Sequence, residues 1–398
     1  MHIVMINSYY HPNEPGGAER SVRGLAEALV GLGHQVTVIA LGEQRKSYLV
    51  QGVEVEQLPI RNRYLPLGRG HDGGVGKLRW HARDSYNAAA GSDIGQLLQR
   101  LRPDVVHSHN LGGFSVAAWA AVKRLGLPLV HTTRDFYLLC PKTTMQGRGG
   151  CSCSSPCMTC LPFAWPRLRA SRLVDHVVGI SEFILRRHRD NHYFPNAGHS
   201  VIYNSYDPPA VEFRAPGEVV RLGYIGRLAP AKGLDMLIDA MAMLVERACR
   251  VELYIAGEGD DAYVAQLHAK SASLPIRFIG HQQPAAFFKE IDIAVVPSIW
   301  NEPLGRVVIE AMANGKPVVA TPVGGIPELI IPDCGVLAPD TDAASFVSAV
   351  QIMLQRLKDM GPSIHLFSIK AAECYTSVSV ASAYLRRYSL ALSTKSTL

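Results

Sequence analysis

The chain has 398 residues, 47% hydrophobic and 19% charged, which is too long for one ordinary core and enough to fill two. No run of about eighteen apolar residues is present, and the opening MHIVMIN reads as a strand lacking the flanks of a signal peptide; a membrane span and a secretory leader are therefore not expected, and a cytoplasmic protein with at most peripheral membrane contact is. The formal charge of +6 is unevenly spread: residues 1–205 carry 23 Lys+Arg against 14 Asp+Glu and 12 of the 15 histidines, whereas residues 206–398 carry 17 against 20, which points to an anionic partner for the first half or to scattered solvated arginines, and no basic and aromatic stripe supports nucleic acid.

Strand-like and helix-like stretches alternate throughout, as in parallel sheets flanked by helices. A strand at 2–6 leads through a Gly-rich loop to a helix at 18–32 capped by Gly33, and further strands follow at 35–40, 53–58, 105–107, 129–131, 177–179 and 201–202. The pattern then restarts with strands at 221–225, 251–256, 276–279, 293–297 and 317–320. Residues 206–218, proline-rich and without periodicity, read as a linker. Domains are accordingly expected at 1–205 and 219–365, with a final helical segment at 366–398.

The Gly-rich loop EPGGAER places Gly16 and Gly17 where backbone can lie against a ligand, or simply turn, but it is not the G-x-G-x-x-G of dinucleotide binders. Ligands in open α/β sheets sit at the carboxyl ends of strands, which selects His109, His131, Arg134 and Asp135 in the first domain; His131 is equally readable as a packed side chain. Cys151, Cys153, Cys157 and Cys160 form C-x-C-x3-C-x2-C in a loop over 140–160. Four thiolates at this spacing suit a structural zinc ion, or the loop is merely reduced, since disulfides are not expected in a reducing compartment. Ser181 fits a helix N-cap.

GRLAPAKG (Gly226 to Gly233) sets Arg227 and Lys232 in a strand-to-helix loop, a site for a diphosphate or a plain solvated surface loop. WNEPLGRVVIEAMANGKPVVATPVGGIPE holds Glu302 and Glu310 eight residues apart around a turn at Leu304 and Gly305, with the positive end of a helix beyond it. Two carboxylates there suit a polyhydroxylated, phosphate-bearing ligand, although Glu302 also reads as a cap and Glu310 as a helix-surface residue.

GGAER, GRLAPAKG and the Glu302 to Glu328 stretch, in this order, resemble the retaining nucleotide-sugar glycosyltransferases of family 4 type, marked by a Glu-x7-Glu signature. The resemblance covers most of the chain. It implies an α/β GT-B fold, two Rossmann-like domains facing across a cleft, with the last helix returning to the first domain. It implies a hexosyl transfer from a nucleoside-diphosphate sugar, with retention and without a required catalytic cofactor. Gly16, Gly17, Gly226, Arg227, Lys232, Asn301, Glu302, Leu304, Gly305 and Glu310 would hold the donor, Arg227 and Lys232 neutralising its diphosphate, Glu302 taking sugar hydroxyls and Glu310 the ribose. His109, His131, Arg134 and Asp135 would face a glycan or lipid-linked acceptor. Relatives often have histidine where this chain has Arg134, and a fixed cation there fits an anionic acceptor. A non-catalytic nucleotide-sugar-binding partner protein and a sugar-nucleotide epimerase are the alternatives.

Overall fold

A computed structural model of the chain describes residues 1–14, 16–65, 74–147, 150–208 and 216–393. The chain divides into two compact units, Met1–Ser205 with Ser377–Leu398, and Tyr206–Thr376. Each is built on a parallel sheet with flanking helices.

The first unit runs β1 (His2–Ile6), α1 (Gly17–Gly31), β2 (Gln35–Gly42), β3 (Lys46–Val50), β4 (Val53–Pro59), α2 (Gly74–Ser85), α3 (Ala88–Leu101), β5 (Val105–Ser108), α4 (Ala117–Arg124), β6 (Leu129–Thr133), α5 (Leu161–Ser171), β7 (His176–Gly179), α6 (Glu182–Asp190) and β8 (Gly198–Val201). Its strands lie in the order β3-β4-β2-β1-β5-β6-β7-β8. The central strands are buried on both faces, which is why they read as continuous apolar runs. Helix α1 buries Val22, Leu25, Ala26 and Leu29, one stripe of a 3.6-residue period. Strand β3 is absent from the predicted elements. It is an exposed edge strand antiparallel to β4, joined by Gln51 and Gly52 at φ 49° and 79°, a tight turn that left-handed residues favour.

The second unit runs β9 (Val220–Ile225), α7 (Leu234–Glu246), β10 (Val251–Ala256), α8 (Asp261–Ser271), β11 (Ile276–Phe278), α9 (Pro284–Glu290), β12 (Ile293–Val296), α10 (Arg306–Ala313), β13 (Val318–Ala320), β14 (Gly335–Leu337), α11 (Ala343–Met360) and α12 (Ser363–Ala372). Strand order is β11-β10-β9-β12-β13-β14. The short β14 also escapes the predicted elements. The winding reverses between β9 and β12, so the loops at their carboxyl ends flank a switch point, where open α/β sheets bind ligands.

The division after Ser205 falls where it was predicted, and the C-terminal boundary differs. The expected linker at 206–218 has residues 209–215 outside the described ones. The final helical stretch is two helices: a 3-10 turn at Glu373–Tyr375 and an extended Thr376 end α12, which packs on α10 in the second unit, and only α13 (Ser377–Ser393) belongs to the first. Helix α13 lies on α1, β5 and β6. Its Tyr388 hydroxyl is 2.7 Å from Nδ1 of buried His107, and Tyr384 is 3.0 Å from Thr132 Oγ1. Burial, with the Arg134 charge next, holds the His107 imidazole well below its usual range and therefore neutral.

Candidate active site

In the second unit the two loops at the switch point are stitched together. The Ile299 N–H donates to the Ala231 carbonyl at 3.1 Å, and Gly233, at φ 74°, lies so close to Pro297 that a Cβ there would stand 1.9 Å from its carbonyl oxygen. Only glycine fits this approach. The result brings Lys232 to Glu302: Nζ donates to Oε1 at 2.8 Å, with the ammonium 5.8 Å from the Trp300 ring. Ser298 also donates its hydroxyl to Glu302 Oε1. Arg227, in the same loop as Lys232, keeps its side chain exposed, while its carbonyl accepts from the Tyr224 hydroxyl at 2.7 Å.

Glu302 is also held through its backbone. Gly325 N–H donates to the Glu302 carbonyl at 2.9 Å, and Gly324, at φ 60°, leaves only 2.1 Å between a built Cβ and that oxygen. Leu304 is buried, Gly305 opens α10 at φ 88°, and Asn301 lies between Trp300 and Glu302 in the loop. Glu310 is buried on α10 and accepts from Arg306 Nε at 2.7 Å, so it is not a solvated surface residue. Residues from two separated motifs thus meet at one strand-end site. Ser298 and Gly324 had no predicted role; the signal was their place in PSIWNE and PVGGIPE, around the candidate carboxylate.

The first unit contains a cavity of about 360 Å³ lined by Tyr9, Glu19, Trp80, His81, Asp135 and Tyr137, among others. Gly16 caps α1 in extended backbone and Gly17 begins it, so the glycines deliver Glu19 in the first helical turn to this cavity. Of the four expected acceptor-side residues, only Asp135 lines it. His109 is buried and accepts from Arg134 Nε at 3.2 Å; Arg134 Nη1 donates to Asn204 Oδ1 at 2.7 Å. His131 is 3.0 Å from Ser108 Oγ and packs between Trp119 and Phe194. Burial pushes the His131 imidazole down to about 3 and that of His109 well below normal. The expected cation for an anionic acceptor is therefore engaged in internal hydrogen bonds just beyond the end of β6, where Arg134 is buried with His109 and Asn204.

A buried ion pair, absent from the predicted residues, supports the cavity wall. Arg167 Nη2 donates to Asp84 Oδ2 at 3.2 Å with both side chains fully enclosed; Tyr137 donates to the same oxygen at 2.8 Å, Gly113 N–H to Oδ1 at 2.6 Å, and Arg167 also to the Tyr137 carbonyl. Removing either ion would leave the other unpaired in a dry site.

The cysteine quartet is partly gathered, Cys160 interacting with both Cys157 and Cys140. Among the described residues no three His, Cys, Asp or Glu side chains gather as a metal site. Cys157 Sγ lies 3.3 Å from Cys160 Sγ at the start of α5, but Cys151 is solvent-exposed, in a stretch held by a bridge between Ser152 and Gln146. Ser181 does cap α6, accepting from Ile184 N–H at 3.1 Å.

Residues 15–209 match the family described as Glycosyltransferase Family 4, and residues 220–356 that described as Glycosyl transferases group 1. A Klebsiella pneumoniae relative, the "Uncharacterized 42.6 kDa protein in cps region", is 32% identical over 356 residues, 88% of this chain and 94% of its own. The chain belongs to the family 4 type glycosyltransferases. It is also 27% identical to a phosphatidyl-myo-inositol mannosyltransferase of Mycobacterium leprae, across 89% of this chain and 88% of that one. Among solved structures, Anabaena HepE in complex with UDP superposes with a TM-score of 0.71 at 19% identity, covering 98% of this chain and 100% of that one. The sucrose-phosphate synthase of Thermosynechococcus elongatus gives 0.72 at 18%, covering 99% of each. These structures share the GT-B fold with this family 4 type chain.

Proposed function

We propose that this glycosyltransferase moves a hexosyl group from a nucleoside-diphosphate sugar to an acceptor hydroxyl, with retention of anomeric configuration. The observation that carries the donor assignment is the Lys232–Glu302 pair at 2.8 Å beside the exposed Arg227. A diphosphate arriving at this loop replaces the carboxylate as partner of Lys232 and takes Arg227 as well. Glu302 is then free to accept from sugar hydroxyls, while Glu310 takes the ribose. Two relatives support the donor class: HepE binds UDP, and a mycobacterial dimannoside mannosyltransferase is GDP-mannose-dependent.

As the bond from the anomeric carbon to the leaving phosphate breaks, the negative charge growing on the diphosphate is stabilised by the two cations, without a catalytic metal. The acceptor oxygen forms its bond on the same face, and its proton passes to the leaving phosphate. The cavity in the first unit suits a saccharide acceptor: aromatic Trp80, Tyr9 and Tyr137 offer apolar faces, and Glu19 and Asp135 accept from hydroxyls. The cps-region relative supports a role in envelope polysaccharide or glycolipid synthesis.

Lys232→Ala is the decisive variant. Transfer should fall by on the order of 100-fold or more, read as kcat with UDP- and GDP-sugar panels, since one preorganised group that meets developing charge is worth that much. Turnover close to wild type would overturn the diphosphate assignment.

A further inference from the structure

Helix α5 carries an unusual outer face. Met158, one turn before it, is 83% exposed and Trp165 is 58% exposed; Leu161 is exposed between them, and Arg169 and Arg172 continue the same stripe at spacings of three and four residues. The Arg169 guanidinium sits 5.3 Å from the Trp165 ring. Helix α2, packed against α5 with its His81 ring 5.9 Å from that of Phe163, repeats the arrangement: Val75 and Leu78 are exposed among exposed Lys77, Arg79 and Arg83.

Among the described residues, the exposed faces of α2 and α5 carry no carboxylate. Residues 136–174 contain five Lys+Arg and no Asp or Glu, and the one acid of α2, Asp84, is enclosed against Arg167. Apolar side chains in solvent, ringed by cations that pair with no anion among the described residues, complement a surface with apolar depth and negative charge. A protein partner of ordinary surface would call for mixed charge.

We infer that the outer faces of α2 and α5 dock on an anionic lipid bilayer, with Met158, Leu161 and Trp165 entering the headgroup boundary and the arginines and lysines holding lipid phosphates. The inner face of α2 gives Trp80 and His81 to the cavity. On the acceptor reading above, on which this last step rests, docking sets the cavity beside the bilayer and makes the acceptor a saccharide carried on a lipid. The docking itself does not depend on that reading.

The test is flotation of the full chain with vesicles of phosphatidylcholine alone or mixed with phosphatidylglycerol. Binding is expected only to the anionic vesicles, falling with added salt as surface charges are screened. Trp165 emission should shift to shorter wavelength on binding, and Trp165→Phe should remove that shift. The double variant Met158→Ser, Trp165→Ser should lower partitioning at least tenfold. Arg169→Glu should lower it about fivefold or more, while Lys289→Glu in the second unit should not. Absence of binding to anionic vesicles, or binding that survives both α5 variants, would overturn the proposal. Donor binding, read separately by thermal shift with UDP and GDP, should be unchanged in the α5 variants. A chain that docks but binds neither nucleotide would sink the donor assignment and leave the docking surface standing.

Discussion

Asp135 lines the cavity, and its protonation is displaced there. Burial foremost, reinforced by the neighbouring Glu19 charge, raises its carboxyl from 3.8 to about 6, against the stabilising N–H of Tyr137. The folded chain therefore keeps a proton that the unfolded chain loses first. Between pH 3.8 and about 6 this group makes stability fall as pH rises, and above that window its cost is constant. Asp135→Asn should flatten this part of the dependence, measured as urea midpoints across the window. An unaltered slope would mean that Asp135 is solvated. The same carboxyl should be largely ionised at neutral pH, ready to accept from acceptor hydroxyls rather than donate to them.

At the scale of elements, the site depends on glycines that bring loops to van der Waals limits. A Cβ at Gly324 would stand 2.1 Å from the Glu302 carbonyl oxygen at a left-handed φ of 60°. Gly324→Ala should cost on the order of 2 kcal/mol or more and lower transfer by displacing Glu302. Gly126→Ala is the control: its φ is 64°, but nothing lies within 4 Å of the new atom, so about 1 kcal/mol of strain is all it should show. Equal melting shifts for the two would contradict the close approach.

This separation also marks what the sequence made legible. The buried strands stood out because parallel sheets need apolar residues on both faces, and Arg227, Lys232 and Glu302 stood out because charged residues have few other reasons to sit in such loops. Exposed edge strand β3 was invisible, since its apolar residues do not alternate with polar ones as in a half-buried strand. The Asp84–Arg167 pair joins residues 83 apart in the chain, and no motif encodes such an encounter. His109 and Arg134 were visible as residues at strand ends, but their mutual bond, which turns them inward, depends on packing of whole layers.

For the whole molecule, the decisive feature is that the chain passes through the first unit twice. Tyr206 N–H donates to the Tyr375 carbonyl at 2.9 Å, so entry to and exit from the second unit lie side by side, and α13 then completes the first unit's core with Tyr384 and Tyr388. Tyr388→Phe leaves His107 Nδ1 without its hydroxyl partner, Nε2 keeping Thr132, and should cost about 1–2 kcal/mol by chemical denaturation. Deleting the residues after Thr376 should abolish cooperative unfolding of the first unit while the second keeps its own transition; a single unchanged transition would show that α13 is dispensable.

This arrangement also bears on biosynthesis. The strands β1 to β8 leave the ribosome early, but the helix that covers β5 and β6 is translated only after the entire second unit, a delay on the order of ten seconds. During that interval the nascent chain presents an unsealed apolar groove beside α1, a surface of the kind that chaperones shield until translation is complete.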